Sequence, residues 1–178
     1  VAVAVQLGVP LPKAMQHTRS FFGVRRRFEI VGRTGGKIYV DDYAHNPQKI
    51  EAALNGAREG NVERVIAVFQ PHRYTRTKLL QHSYPASFKA ADLVLVTDIY
   101  ASGEDPIEGV SIEKLIQEIN EVSPAVYTPG LAEVTRVLQK ETRAGDIIVA
   151  LGAGNVGRWI RRVSRWDKLG EKWPSQAT

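Results

Sequence analysis

Short apolar runs of strand type recur along this chain, each followed by a helical pattern, and that alternation limits the possible folds more than any other feature. Residues 37–40, 64–69, 93–97, 125–128 and 146–151 read as strands, and 64–69 is continuously apolar after its first residue, as buried strands are. Residues 48–58, 76–89, 111–120, 130–141 and 155–165 carry apolar residues at helical spacing. The helix at 76–89 is expected to bury Leu79, Leu80 and Phe88. That at 111–120 is expected to start at a Ser111 N-cap and bury Leu115, Ile116 and Ile119. Strands separated by helices make βαβ units, hence a parallel sheet with right-handed crossovers. The first strand is the exception. Residues 28–31 and 37–40 flank Arg33-Thr34-Gly35-Gly36, a turn suited to positive φ, so the sheet should open with an antiparallel pair.

The expected fold is therefore α/β: a three-layer Rossmann-like domain, its sheet mostly parallel with an antiparallel edge strand. Residues 1–7 read as the end of a helix, closed by Gly8 and Pro10. Residues 12–22 read as a second short helix with Ala14, Met15, Phe21 and Phe22 available for one face. Residues 168–178 read as a frayed polar tail.

Composition excludes several classes. Cysteine is absent, which rules out disulfides and thiolate metal sites and makes a reducing cytoplasm the expected compartment. No apolar run is long enough to cross a bilayer as a helix, so no membrane partner is expected. A formal net charge of +5 favours anionic ligands. The basic residues are scattered without an aromatic-interleaved stripe, so nucleic acid is not expected.

In a parallel sheet every strand's carboxyl end lies on one edge, where ligands bind in open α/β folds. That edge should collect Asp42-Tyr43-Ala44-His45, Gln70-Pro71-His72-Arg73, Asp98-Ile99-Tyr100 and Gly152-Ala153-Gly154-Asn155. At the first of these, Asn46 is a fit N-cap and Pro47 suits the first helical turn, whose free N–H groups favour an anion such as phosphate. Arg73 and Arg76 stand three positions apart at a helix start, so both guanidinium groups can hold one carboxylate or phosphate. Arginine there opposes the helix dipole, which a bound anion would justify. Gly23 to Glu29 is a basic cluster that reads as a solvated loop unless a phosphate lies nearby.

Gly152-Ala153-Gly154-Asn155-Val156-Gly157 matches the spacing of a dinucleotide fingerprint. A fingerprint also needs a following strand with an acid to hold the ribose, and none follows here, so hydride transfer is rejected. A glycine-rich turn that lets backbone approach a ligand closely survives that objection. His17 and His82 show no partner pattern. No dedicated metal cluster is expected, although Asp41 and Asp42 could touch a Mg2+ that arrives with a nucleotide.

Together, Gly23-Val24 with Arg26-Arg27-Phe28-Glu29, Val40-Asp41-Asp42-Tyr43-Ala44-His45, Phe69-Gln70-Pro71-His72-Arg73-Tyr74-Thr75-Arg76-Thr77, Asp98 to Glu104 and Gly152-Ala153-Gly154-Asn155 resemble the C-terminal domain of a Mur ligase. The resemblance spans roughly residues 1–165. It implies an ATP- and Mg2+-dependent ligase that joins a carboxylate to an amino acid through an acyl phosphate. The phrase holding His72, Arg73 and Arg76 points to L-alanine and UDP-N-acetylmuramate as the substrates. By the same resemblance, Arg27, Asp42 and His45 hold ATP, with Asp42 and His45 catalytic. Tyr43, His72, Arg73, Arg76 and Asn155 bind the substrate. Asn46 departs from the pattern, which often has His there.

The chain contains no G-x-x-x-x-G-K-[ST] phosphate loop, which the family carries in its central domain. The resemblance therefore implies a fragment that folds without catalysing. Residues 1–22 would be the last helices of that central domain, 23–167 the C-terminal domain and 168–178 a tail. ATP and Mg2+ would then be held mainly by the central domain, the fragment's natural partner. Two alternatives stay open: a relative that adds a preformed peptide during cell-wall recycling, and a non-catalytic module holding a mononucleotide on the Gly152 turn.

Overall fold

A computed structural model of the protein describes residues 1–19 and 23–170. Two short helices, α1 (Ala2–Gln6) and α2 (Leu11–Thr18), precede β1 (Glu29–Thr34), β2 (Lys37–Asp42), α3 (Pro47–Arg58), β3 (Arg64–Phe69) and α4 (Tyr74–Leu80). Then come β4 (Leu93–Val96), α5 (Ile112–Asn120), β5 (Ala125–Tyr127), α6 (Leu131–Glu141), β6 (Asp146–Leu151) and α7 (Val156–Leu169). The strands form one sheet in the order β1-β2-β6-β3-β4-β5, antiparallel only between β1 and β2. The two-residue turn between those strands is Gly35-Gly36, at φ 54° and 72°, where a Cβ would be strained.

Central strands are apolar on both faces because both faces are covered. Val65, Ala67 and Phe69 of β3, with Ile147, Val149 and Leu151 of β6, face a core completed by Ile50, Leu54, Tyr84, Phe88, Leu115 and Ile119. The alternate residues Ile66, Val68, Ile148 and Ala150 face a second core with Val134, Leu138, Val156, Ile160 and Val163 of α6 and α7. These are the three layers expected.

Caps follow the sequence. Asn46 accepts from the Lys49 N–H at 3.0 Å and Ser111 from that of Lys114 at 3.2 Å. The helix expected over 76–89 is a correction: α4 ends at Leu80 and the chain continues in 3-10 turns, Gln81–Ser83 and Pro85–Phe88. Pro85 lacks the N–H that a continuing helix needs, and Leu79, in the last turn of α4, is 81% exposed instead of buried. Met15 is likewise exposed while Ala14 is buried. Phe21, Phe22 and residues 171–178 of the expected tail lie outside the described residues; α7 itself runs on to Leu169, past the expected end at 165, and closes on Gly170 in the left-handed conformation.

Candidate functional site

β6 lies between β2 and β3, so the loops leaving those strands meet beside it. The Gly152 N–H donates to the Asp42 carbonyl at 3.2 Å and the Gln70 N–H to the Leu151 carbonyl at 2.9 Å. A bridge between His72 and Tyr100 extends the β3–β4 pairing past the strand ends. The carboxyl edge thus gathers all four expected segments.

His45 and His72 come together with ring centroids 6.2 Å apart, and His72 stacks on Tyr100 at 5.5 Å. Their hydrogen bonds fix complementary tautomers. A carbonyl can only accept, so the 2.8 Å contact between His45 Nδ1 and the Tyr43 oxygen places a proton on Nδ1 and a lone pair on Nε2. Arginine can only donate, so Arg76 Nη1 at 3.0 Å makes His72 Nδ1 an acceptor and leaves its proton on Nε2. Burial, reinforced for His72 by the Arg76 charge, lowers the pKa of both rings. Both are therefore neutral near pH 7. One ring offers a base and its neighbour an N–H donor. Tyr84, pushed up to about 12 by burial, donates to the His45 carbonyl at 3.2 Å and holds that ring's backbone.

Arg73 sits at φ 70°, the entry to α4, an uncommon conformation for a residue with a Cβ. Its N–H donates to the Tyr100 carbonyl at 2.9 Å, and its guanidinium lies 3.9 Å from Glu104, in ion-pair range. Glu104 also accepts from the Thr75 N–H and hydroxyl, at 3.0 and 2.7 Å, so the Ala101–Glu104 loop is tied to the start of α4. Tyr43 packs edge-on against His45 at 5.3 Å, with Arg26 4.7 Å and Arg27 5.9 Å above its ring.

Asp42 is held by backbone on both sides. Its two carboxylate oxygens accept the Phe28 and Ala44 N–H groups, each at 2.7 Å, and the side chain is buried. These two contacts hold the loop before β1 and the turn after β2. They leave lone pairs for one further contact in a hollow of about 400 Å3 shared with Arg27 and Lys49.

The glycine-rich turn packs closely against its own chain. A Cβ on Gly154 would lie 2.4 Å from the Gln70 side-chain oxygen and 2.7 Å from the Tyr100 ring; one on Gly157 would lie 2.4 Å from the Asp41 carboxylate. The glycines admit close intramolecular packing. The turn's carbonyls at 152, 153 and 154 accept from Arg26 at 2.7, 3.4 and 3.3 Å. Arg26 thus occupies the carbonyl side of this turn. Asn155 is engaged too: its side-chain oxygen accepts from Gln70 at 2.7 Å, while Gln70 accepts the Val156 N–H at 3.2 Å and caps α7 from a neighbouring strand.

Arg26, Gln70, Tyr100 and Glu104 thus build the site through contacts that sequence reasoning did not assign them, although all four lie in segments it singled out. The available signals were a glutamine ending an apolar strand just before a proline, and a basic cluster that looked solvated.

The fold is that of an α/β domain, and its carboxyl edge brings two histidines beside Arg73 and Arg76. The family model described as Mur ligase, glutamate ligase domain, matches residues 26–154, and the chain belongs to the Mur ligase family. It is 42% identical to the UDP-N-acetylmuramate–L-alanine ligase of Sorangium cellulosum over 99% of this chain and 38% of that protein. The enzyme of the same name from Syntrophus aciditrophicus is 43% identical over 88% of this chain and 33% of its own length. Among solved structures, the UDP-N-acetylmuramate–alanine ligase of Thermotoga maritima aligns with a TM-score of 0.77 at 25% identity, over 96% of this chain and 36% of that one. The murein peptide ligase of Psychrobacter arcticus shares the fold with a TM-score of 0.68 at 22% identity, over 94% of this chain and 35% of that one. The chain therefore spans little more than a third of the relatives it matches.

Proposed function

We propose that this chain is the amino-acid-binding lobe of an ATP-dependent ligase that joins L-alanine to UDP-N-acetylmuramate in the cytoplasm. The observation that carries this reading is the meeting of His45, His72, Arg73 and Arg76 on one sheet edge in a chain whose relatives bear that enzyme's name. Arg73 and Arg76 hold the amino acid's carboxylate, with Tyr43 and Asn155 lining the same site. His45 Nε2 takes the proton that the ammonium group must lose before it can attack, and His72 Nε2–H donates to oxygen charge developing at the acyl centre. Much of the rate then comes from holding the amine against the activated carboxyl group.

ATP supplies the activation of that carboxyl group. Arg27 and Lys49 suit its phosphates and Asp42 its ribose, around the hollow they share. Among the described residues no group of three His, Cys, Asp or Glu could hold a metal. We assign the Mg2+ to the triphosphate and to the remainder of the longer protein, with residues 1–22 belonging to its central domain, 23–167 forming this lobe and 168–178 a tail. The exposed Val1, Val3, Val5 and Leu7 of the first segment support that division, since exposed apolar side chains clustered in so short a segment normally pack on something.

The test is phosphate release by the full-length protein with UDP-N-acetylmuramate and ATP, comparing L-alanine with the cell-wall tripeptide as acceptor amine. Faster turnover with L-alanine is expected. Preference for the tripeptide would move the chain to the peptide-adding relatives.

A further inference from the structure

A second cationic site lies on the other flank of the 152–157 turn, away from the histidine pair. Arg25, Arg26, Arg158, Arg161 and Arg165 line a hollow of about 490 Å3, with Asp41, Gly154 and Gly157 completing it. None of His45, His72, Arg73 or Arg76 contributes to it. Arg158, Arg161 and Arg165 fall three and four positions apart, on one face of α7. Like charges at that spacing repel, and Arg158 stands in a first turn that contains no acidic residue, where cations oppose the helix dipole.

The acids nearby do not balance this charge. Arg161 donates to Glu29 at 2.6 Å and to Asp41 at 3.1 Å. Arg158 and Arg165 form no ion pair among the described residues. On one wall, Arg26 Nε and Asp41 Oδ1 are buried 3.5 Å apart and neither makes a hydrogen bond, although Asp41 is only 1% exposed. The two atoms face each other as an ion pair, so Asp41 is neutralised by Arg26 and Arg161 and does not offset the charge of Arg25, Arg158 and Arg165. A hollow of this volume suits a small molecule; a nucleic acid would need an extended stripe.

We propose that this hollow binds a small phosphate-bearing molecule, held by Arg25, Arg158 and Arg165 with Arg161 as the fixed fork between them. The site stands independently of the ligase reading. Arg26 is the shared wall: its guanidinium also secures the 152–154 carbonyls and covers Tyr43, so occupancy here reaches the substrate edge through one side chain.

Calorimetric titration of the 178-residue chain with inorganic pyrophosphate, and separately with ribose 5-phosphate, tests the proposal. Binding should weaken at least about tenfold in R158Q/R165Q, the worth of one charge-assisted hydrogen bond. It should persist in R73A/R76A, which alters the substrate edge, and in K89Q/K114Q, which removes the same net charge elsewhere. The tighter of the two probes tells free phosphate from a phosphorylated metabolite. Absence of binding by either probe, equal affinity in R158Q/R165Q, or an equal loss in K89Q/K114Q would each overturn the site.

Discussion

His45 and His72 make the residue scale measurable, because their lowered pKa values link site and stability. A histidine whose folded pKa lies below its unfolded one is bound by fewer protons when folded, so stability rises with pH across that window. The contribution is complete above about pH 6.5, the unfolded value, and is lost as pH falls through the folded values. Melting the chain at pH 7.5 and at pH 5.5 should show a drop on acidification that shrinks in H45Q/H72Q; an unchanged drop would locate the titration elsewhere. Arg26 is the other decisive side chain. Arg26→Met keeps the stem but removes three donors to the 152–154 turn, and should cost about 2–3 kcal/mol in denaturant unfolding. A loss below about 0.5 kcal/mol, the range of ordinary surface changes, would mean the turn holds itself.

At the element scale, the turn into α7 depends on absent side chains and on one borrowed cap. Gly157→Ala drives a methyl into the buried Asp41 carboxylate and should destabilise by about 1–3 kcal/mol. Gln70→Ala removes the cap on Val156 and the bond to Asn155, for a loss of about 1–2 kcal/mol in the same measurement. These contacts explain the limits of sequence reading. Strand alternation, the Gly35-Gly36 hairpin and the Asn46 and Ser111 caps depend on neighbours in sequence, and they were legible. Gln70 and Gly157 act across 86 and 116 positions, onto Val156 and Asp41, and spacing along the chain carries no trace of such meetings. At 76–89 two local signals compete, and Pro85 outweighs the apolar spacing that runs on to Phe88. The site's location on the carboxyl edge follows from parallel order alone. The tautomers of His45 and His72 and the holding role of Asp42 required coordinates, because hydrogen-bond partners decide them.

At the scale of the whole molecule, the sheet brings the loop segments together on one edge, and the proposed function has a longer enzyme complete the chemistry there. The exposed valines around α1 and the exposed guanidinium of Arg73 both suit the proposed lobe, which would work against another surface. The isolated chain should therefore bind L-alanine weakly, a result that calorimetry can check against the full-length protein. The central claim is that the edge carrying His45, His72, Arg73 and Arg76 receives the amino acid. Steady-state kinetics of Arg73→Ala in the full-length protein tests it most directly. The KM for L-alanine should rise by about tenfold or more, the worth of one charge-assisted contact, with the KM for ATP changing little. Equal changes in both constants would contradict the assignment.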